Sequence, residues 1–147
     1  MVTDVAGGNE SAAPAALSIL IADDSAVVQE DLRSWLTDCG HRVVAVGTGA
    51  EAVRHVRQHA FDLVITEVIL PNGDGLELIS ATKKFQPGVG IIAYSGGGRY
   101  LTIGDCLRVA KGFGADEILA KPASREEILL VVGRVCAARR ARVDVAH

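Results

Sequence analysis

Three observations in the sequence predict an α/β protein on a parallel sheet. Short apolar runs alternate five times with helix-period segments. About half of the 147 residues are apolar and only 4% are aromatic, so the core is to be built from Val, Ile, Leu and Ala, as in strands covered by helices on both faces. The connections are short, which calls for right-handed crossovers between parallel strands. The length suits one domain with a single core that needs no disulfide or metal staple.

The first strand is read at LSILIA, 17–22. In the first helix Val28, Leu32, Trp35 and Leu36 share one face, and Gly40 follows as a residue able to take the left-handed C′ conformation. RVVAV, 42–46, is the second strand. Thr48 followed by Glu51 matches a capping box and opens the second helix. His55 and His59 lie four apart on that helix, but with no third ligand and with Arg54 and Arg57 beside them they read as solvated side chains.

DLVIT, 62–66, is the third strand and runs into the turn EVILPNGDG. VGIIAYS, 89–95, is the fourth. The glycine run after it lacks the lysine and spacing of a phosphate-cradling loop and reads as a mobile surface loop before the fourth helix. EILA, 117–120, is the fifth strand, and Ser124 with Glu127 forms a second capping box. The last helix is expected to carry Glu126 and Glu127 in its first turn and Arg139, Arg140 and Arg142 in its last, as the helix dipole favours. All five strands are expected to be buried.

Residues 1–16, rich in Ala, Gly, Ser and Pro and without a period, read as a disordered leader. The domain is expected over 17–138 and a C-terminal tail over 139–147, with no output domain after it. The net charge of −3 argues against nucleic-acid binding. Without a signal segment or a span of bilayer length the protein is expected in the cytoplasm, away from the membrane. Cys39, Cys106 and Cys136 are odd in number and far apart, so they read as buried packing thiols.

In an open parallel sheet the ligand site lies outside the carboxyl ends of the strands. The residues just after the apolar runs are Asp23, Asp24, Glu67, Ser95 and Lys121. Three carboxylates brought together either raise their pKa values or admit a cation, and Mg²⁺, which prefers oxygen ligands, suits them. Lys121 then supplies a charge and Ser95 a hydroxyl for an anionic oxygen, so the site reads as one for a phosphoryl group beside a metal. Read alone, Asp23 and Asp24 are candidate N-caps of the first helix.

These residues resemble the receiver domains of two-component response regulators, of the chemotaxis-regulator type. ILIADDS is similar to the acidic-pair motif, DLVITEVILPNGDG to the phosphoacceptor strand and turn, IIAYSG to the switch-hydroxyl strand and GADEILAKP to the lysine-proline motif. The resemblance implies a flavodoxin-like (βα)5 fold with strand order 2-1-3-4-5. It implies Mg²⁺ held by Asp23, Asp24, the backbone carbonyl of Ile69 and the residue at 67, with Ser95 and Lys121 on the phosphoryl oxygens. The partner implied is a signalling protein such as a histidine kinase or phosphotransfer protein, and the oligomeric state a monomer or weak dimer.

The chain departs from the family pattern at two positions and in the stretch SGGGRYLTIGDC, which sets Ser95 a few residues further from Lys121 than in the chemotaxis-type pattern. Glu67 stands where the resemblance implies a phosphate-accepting aspartate, and Ile118 where it implies a switching Tyr or Phe; Tyr94 is not an equivalent of the latter by position. The extra methylene of Glu67 carries its carboxylate about 1.5 Å further, toward Ser95 and Lys121. The reading adopted is a non-enzymatic binding module in phosphorelay signalling, with Glu67 making it independent of phosphorylation or holding it in a phosphomimetic state. Two alternatives stay open: a Mg²⁺-dependent phosphoacceptor modified on Glu67, and an unrelated enzyme or flavin carrier on the same type of sheet.

Overall fold

A computed structural model describes residues 16–146 of the chain, with side chains to residue 142. Five strands alternate with five helices: β1 Ser18–Ala22, α1 Ala26–Asp38, β2 Arg42–Val46, α2 Gly49–Gln58, β3 Leu63–Thr66, α3 Gly75–Phe85, β4 Gly90–Ser95, α4 Ile103–Phe113, β5 Glu117–Ala120 and α5 Arg125–Ala146. The strands form one parallel sheet in the order β2-β1-β3-β4-β5. The expected architecture and order are both present.

Apolar side chains project from both sheet faces, which is why the inner strands read as unbroken apolar runs. Ile19, Ile21, Leu63, Ile65 and Ile92 meet Leu32, Leu36, Ile128 and Val135 on the side of α1 and α5. Leu20, Val64, Ala52, Val56 and Leu78 form a cluster on the other side, and Ile79, Ile91, Ala93, Cys106 and Ala110 form a third under α4. The expectation of five buried strands holds for β1, β3 and β4. It fails for β2 and β5, which alternate between more and less buried residues, because they are the sheet edges.

Helix ends follow local chemistry. Ser25, not Asp23 or Asp24, caps α1, its hydroxyl accepting from the Val28 N–H. Gly40 takes φ +90° after that helix, as expected. The Ser124–Glu127 box is reciprocal. The Thr48–Glu51 box is only half made: Thr48 accepts from the Glu51 N–H, while its hydroxyl donates to the Glu51 carboxylate at 3.3 Å. A reciprocal box at Thr102 and Asp105, unforeseen, opens α4.

The last helix continues through residues expected to form a tail, so Arg139, Arg140 and Arg142 lie inside it and its last turn carries no basic residue. Arg139 donates to the Gly88 carbonyl at 2.7 Å, which ties that helix to the start of β4. Cys106 and Cys136 are buried, but Cys39 is exposed, because it is the C-cap of α1 and not part of its inner face. The leader expected over 1–16 lies, except for Ala16, outside the described residues.

One close approach positions the site. A Cβ added at Gly75 would collide with the carbonyl oxygen of Glu67 and crowd the Val68 Cα, and the Gly75 N–H donates to the Val68 carbonyl at 2.8 Å. The first residue of α3 thus presses on the backbone that carries Glu67. Gly75→Ala is expected to destabilise the fold by about 1–3 kcal/mol through overpacking, read as a lower urea midpoint with an unchanged slope.

Candidate functional site

The carboxyl ends of β1, β3, β4 and β5 bring Asp23, Glu67, Ser95 and Lys121 together. Backbone hydrogen bonds fix the register: the Asp23 N–H donates to Val46, the Glu67 N–H to Ala22 and the Lys121 N–H to Ser95. The Lys121 ammonium lies between two carboxylates, 2.7 Å from Asp23 Oδ2 and 2.9 Å from Glu67 Oε1. The three side chains are 18%, 2% and 8% exposed, so this is a largely desolvated cluster with one cation for two anions.

Both oxygens of Glu67 are occupied. Oε2 accepts from the Val68 N–H at 2.7 Å and more weakly from the Ile69 N–H at 3.4 Å. Oε1, besides Lys121, accepts weakly from the Gly96 N–H at 3.4 Å. Burial alone would push the Glu67 carboxyl up, yet it is held below its ordinary value by the Ser95 hydroxyl, the Lys121 ammonium and the Val68 N–H. Ser95 lies close enough for that influence, but the bond of good geometry on its hydroxyl is one accepted from the Gly97 N–H at 3.1 Å. Lys121 is desolvated too, and the hydrogen bonds and charges of Asp23 and Glu67 outweigh that burial and raise its pKa.

The expected convergence of three acids is not reproduced in full. Asp24 is exposed while Asp23 is buried, and Asp23 Oδ1 accepts from the Ser25 N–H at 2.9 Å. Among the described residues, no group of three His, Cys, Asp or Glu side chains is placed to hold a metal. That applies to His55 and His59 as well, whose rings lie 5.6 Å apart. The donor chemistry still fits a hard cation, because Mg²⁺ keeps several waters and uses one or two carboxylates. Asp24 and the Ile69 carbonyl suit that requirement; Asp23 would share its carboxylate between the ion and the Ser25 and Lys121 donors it already has, and Glu67 is engaged by its own.

The glycine run is a surface loop, as expected, with Gly96 and Gly98 exposed, but its start is tied to the site. The N–H groups of Gly96 and Gly97 reach Glu67 and Ser95, and the Gly98 N–H donates to Leu101 at 3.0 Å. A Cβ on Gly98 would collide with the Ile69 side chain. A Cβ on Gly96 would make only ordinary contact with the Lys121 stem, and one on Gly97 would crowd Ile103 and Leu101 within the loop. The backbone donors Val68, Ile69 and Gly96 were not legible beforehand, since an N–H leaves no mark on residue type. Ile118 is 37% exposed on the outer strand and makes no part of the cluster.

Residues 19–133 match the family described as response regulator receiver domain. The chain belongs to this family. Receivers are signalling modules of two-component systems, and this one is 34% identical over 127 residues to the DNA-binding transcriptional regulator NtrC of Bradyrhizobium sp. (strain RP501 Parasponia), a match covering 86% of this chain and 26% of that protein. It therefore spans about a quarter of that relative's length.

Among solved structures, the receiver domain of the sensor histidine kinase PA1611 from Pseudomonas aeruginosa PAO1 is 27% identical, with a TM-score of 0.73 over 84% of this chain and 99% of that one; it has a magnesium ion coordinated in its active site cleft. A CheY-like receiver domain protein from Methanospirillum hungatei JF-1 aligns with a TM-score of 0.79 at 22% identity, over 87% of this chain and 99% of that one, and attests the fold. Among the described residues of this receiver, no helix is long and apolar enough to cross a membrane.

Proposed function

We propose that this receiver signals by binding a protein partner in a state set by Glu67 and not by phosphorylation. The observation that carries the reading is the occupancy of the Glu67 carboxylate. It holds the Lys121 ammonium at 2.9 Å and accepts from the Val68 and Gly96 N–H groups, with the Ser95 hydroxyl nearby. An ammonium, a hydroxyl and backbone N–H groups around one anion are the donors that a phosphoryl group on a shorter aspartate would need.

The imitation is partial by charge, since a carboxylate brings one negative charge and two oxygens and a phosphoryl group up to two charges and three oxygens. Bound Mg²⁺ would supply positive charge beside that anion; Asp23, Asp24 and the Ile69 carbonyl are the groups that would hold it. The partner class is a histidine kinase or a phosphotransfer protein. The protein itself acts in this reading as a cytoplasmic, non-enzymatic module.

The test is a comparison of amide NMR spectra. Glu67→Asp is recorded free and with Mg²⁺ and beryllofluoride, a stand-in for a phosphoryl group, and the wild type is recorded without additions. The wild-type resonances of the 96–102 loop and of α4 are expected to fall near those of the beryllofluoride-bound variant. Coincidence with the free variant instead would refute mimicry.

A further inference from the structure

We propose that Tyr94 is a positioning residue that sets where the Lys121 ammonium sits. Tyr94 precedes Ser95 on β4 and is 5% exposed, packed among Ile92, Leu32, Ala123 and Ile128 in the core under α1 and α5. Its hydroxyl accepts from the Ala123 N–H at 3.0 Å, a buried bond two residues beyond the lysine. Its ring lies under the lysine, with Nζ 5.5 Å from the ring centroid. One side chain therefore holds Lys121 at two points, by the backbone that follows it and by the charged end.

The site needs such a brace. A lysine stem has four rotatable bonds and β5 is an edge strand with alternating exposure, so the strand alone leaves Nζ free to leave the cleft. The two carboxylates hold the ammonium from one side, at 2.7 and 2.9 Å, and the Tyr94 ring lies on another. An aromatic face within 6 Å of a partly desolvated cation adds attraction, and the hydroxyl closes the 121–123 segment onto β4. Removing the hydroxyl leaves the buried Ala123 N–H without its acceptor.

The inference rests on the Lys121 ion pairs and not on mimicry by Glu67, and its test uses the full chain without phosphoryl donor or partner. In the wild type the Lys121 Hε resonances are expected to be shifted upfield by the Tyr94 ring. In Tyr94→Phe the exchange of the Lys121 ammonium protons with water should quicken, roughly fivefold for the loss of one buried hydrogen bond. A purely structural tyrosine would lower the melting temperature while leaving that exchange unmoved in the folded variant, and that result overturns the proposal. An absent ring shift in the wild type, which requires no variant, overturns it equally. Failure of the beryllofluoride comparison touches neither readout.

Discussion

Incubated with Mg²⁺ and acetyl phosphate, the wild-type receiver is expected to keep its intact mass, while Glu67→Asp gains one phosphoryl group. Phosphoryl transfer depends on in-line placement of the attacking oxygen, and small displacements lose large factors in rate. The extra methylene moves the carboxylate by about 1.5 Å, and there both oxygens already accept hydrogen bonds. Shortening the side chain withdraws the anion and leaves Lys121, Ser95 and the Val68 and Gly96 N–H groups for an incoming phosphoryl group. A wild-type chain that gains the mass, with the modified peptide mapping to Glu67, would make this a working phosphoacceptor and end the reading of a phosphorylation-independent module.

The second large effect is expected from Lys121→Ala. Removing the cation leaves Asp23 and Glu67 facing each other in a buried cleft, and uncompensated buried charge costs about 3–5 kcal/mol. The pH dependence has a defined sign. Glu67 has a folded pKa below its ordinary 4.5, so its contribution is present above pH 4.5 and is lost as pH falls through the folded value. Lys121 has a folded pKa above its ordinary 10.5, so its contribution is complete below pH 10.5 and is lost as pH rises through the folded value.

Wild-type stability from this cluster therefore spans the range between those limits. The Lys121→Ala deficit, measured by urea unfolding, should be large at pH 7. It should shrink below pH 4.5, where Glu67, no longer held down by the lysine, takes up a proton. An equal deficit at pH 7 and pH 3.5 would show that the lysine acts through packing alone.

Much of the fold was legible from pattern. Strand positions follow from apolar runs, because the inner strands are covered on both faces, and helix starts follow from Ser124 and Thr48, because capping is chemistry within four residues. The edge strands were misread for the same reason: EILA and RVVAV carry apolar residues, but only the strand order shows that they have one neighbour each. Cys39 looked like its buried counterparts and is exposed, since its place at a helix end is a matter of backbone geometry.

For the site, the sequence by itself determined the chemical types and the strand ends that carry them: Asp23, Glu67, Ser95 and Lys121 meet as their positions after β1, β3, β4 and β5 require. Only the tertiary structure decided which groups pair. It places Lys121 between Asp23 and Glu67, leaves Asp24 exposed, turns Glu67 onto backbone N–H groups and lays the glycine loop and Tyr94 against the cluster. Residue type specifies what a group can donate or accept. Side-chain torsions, burial and the path of the neighbouring backbone select the partner it has, and those are settled jointly by contacts between strands far apart in the chain.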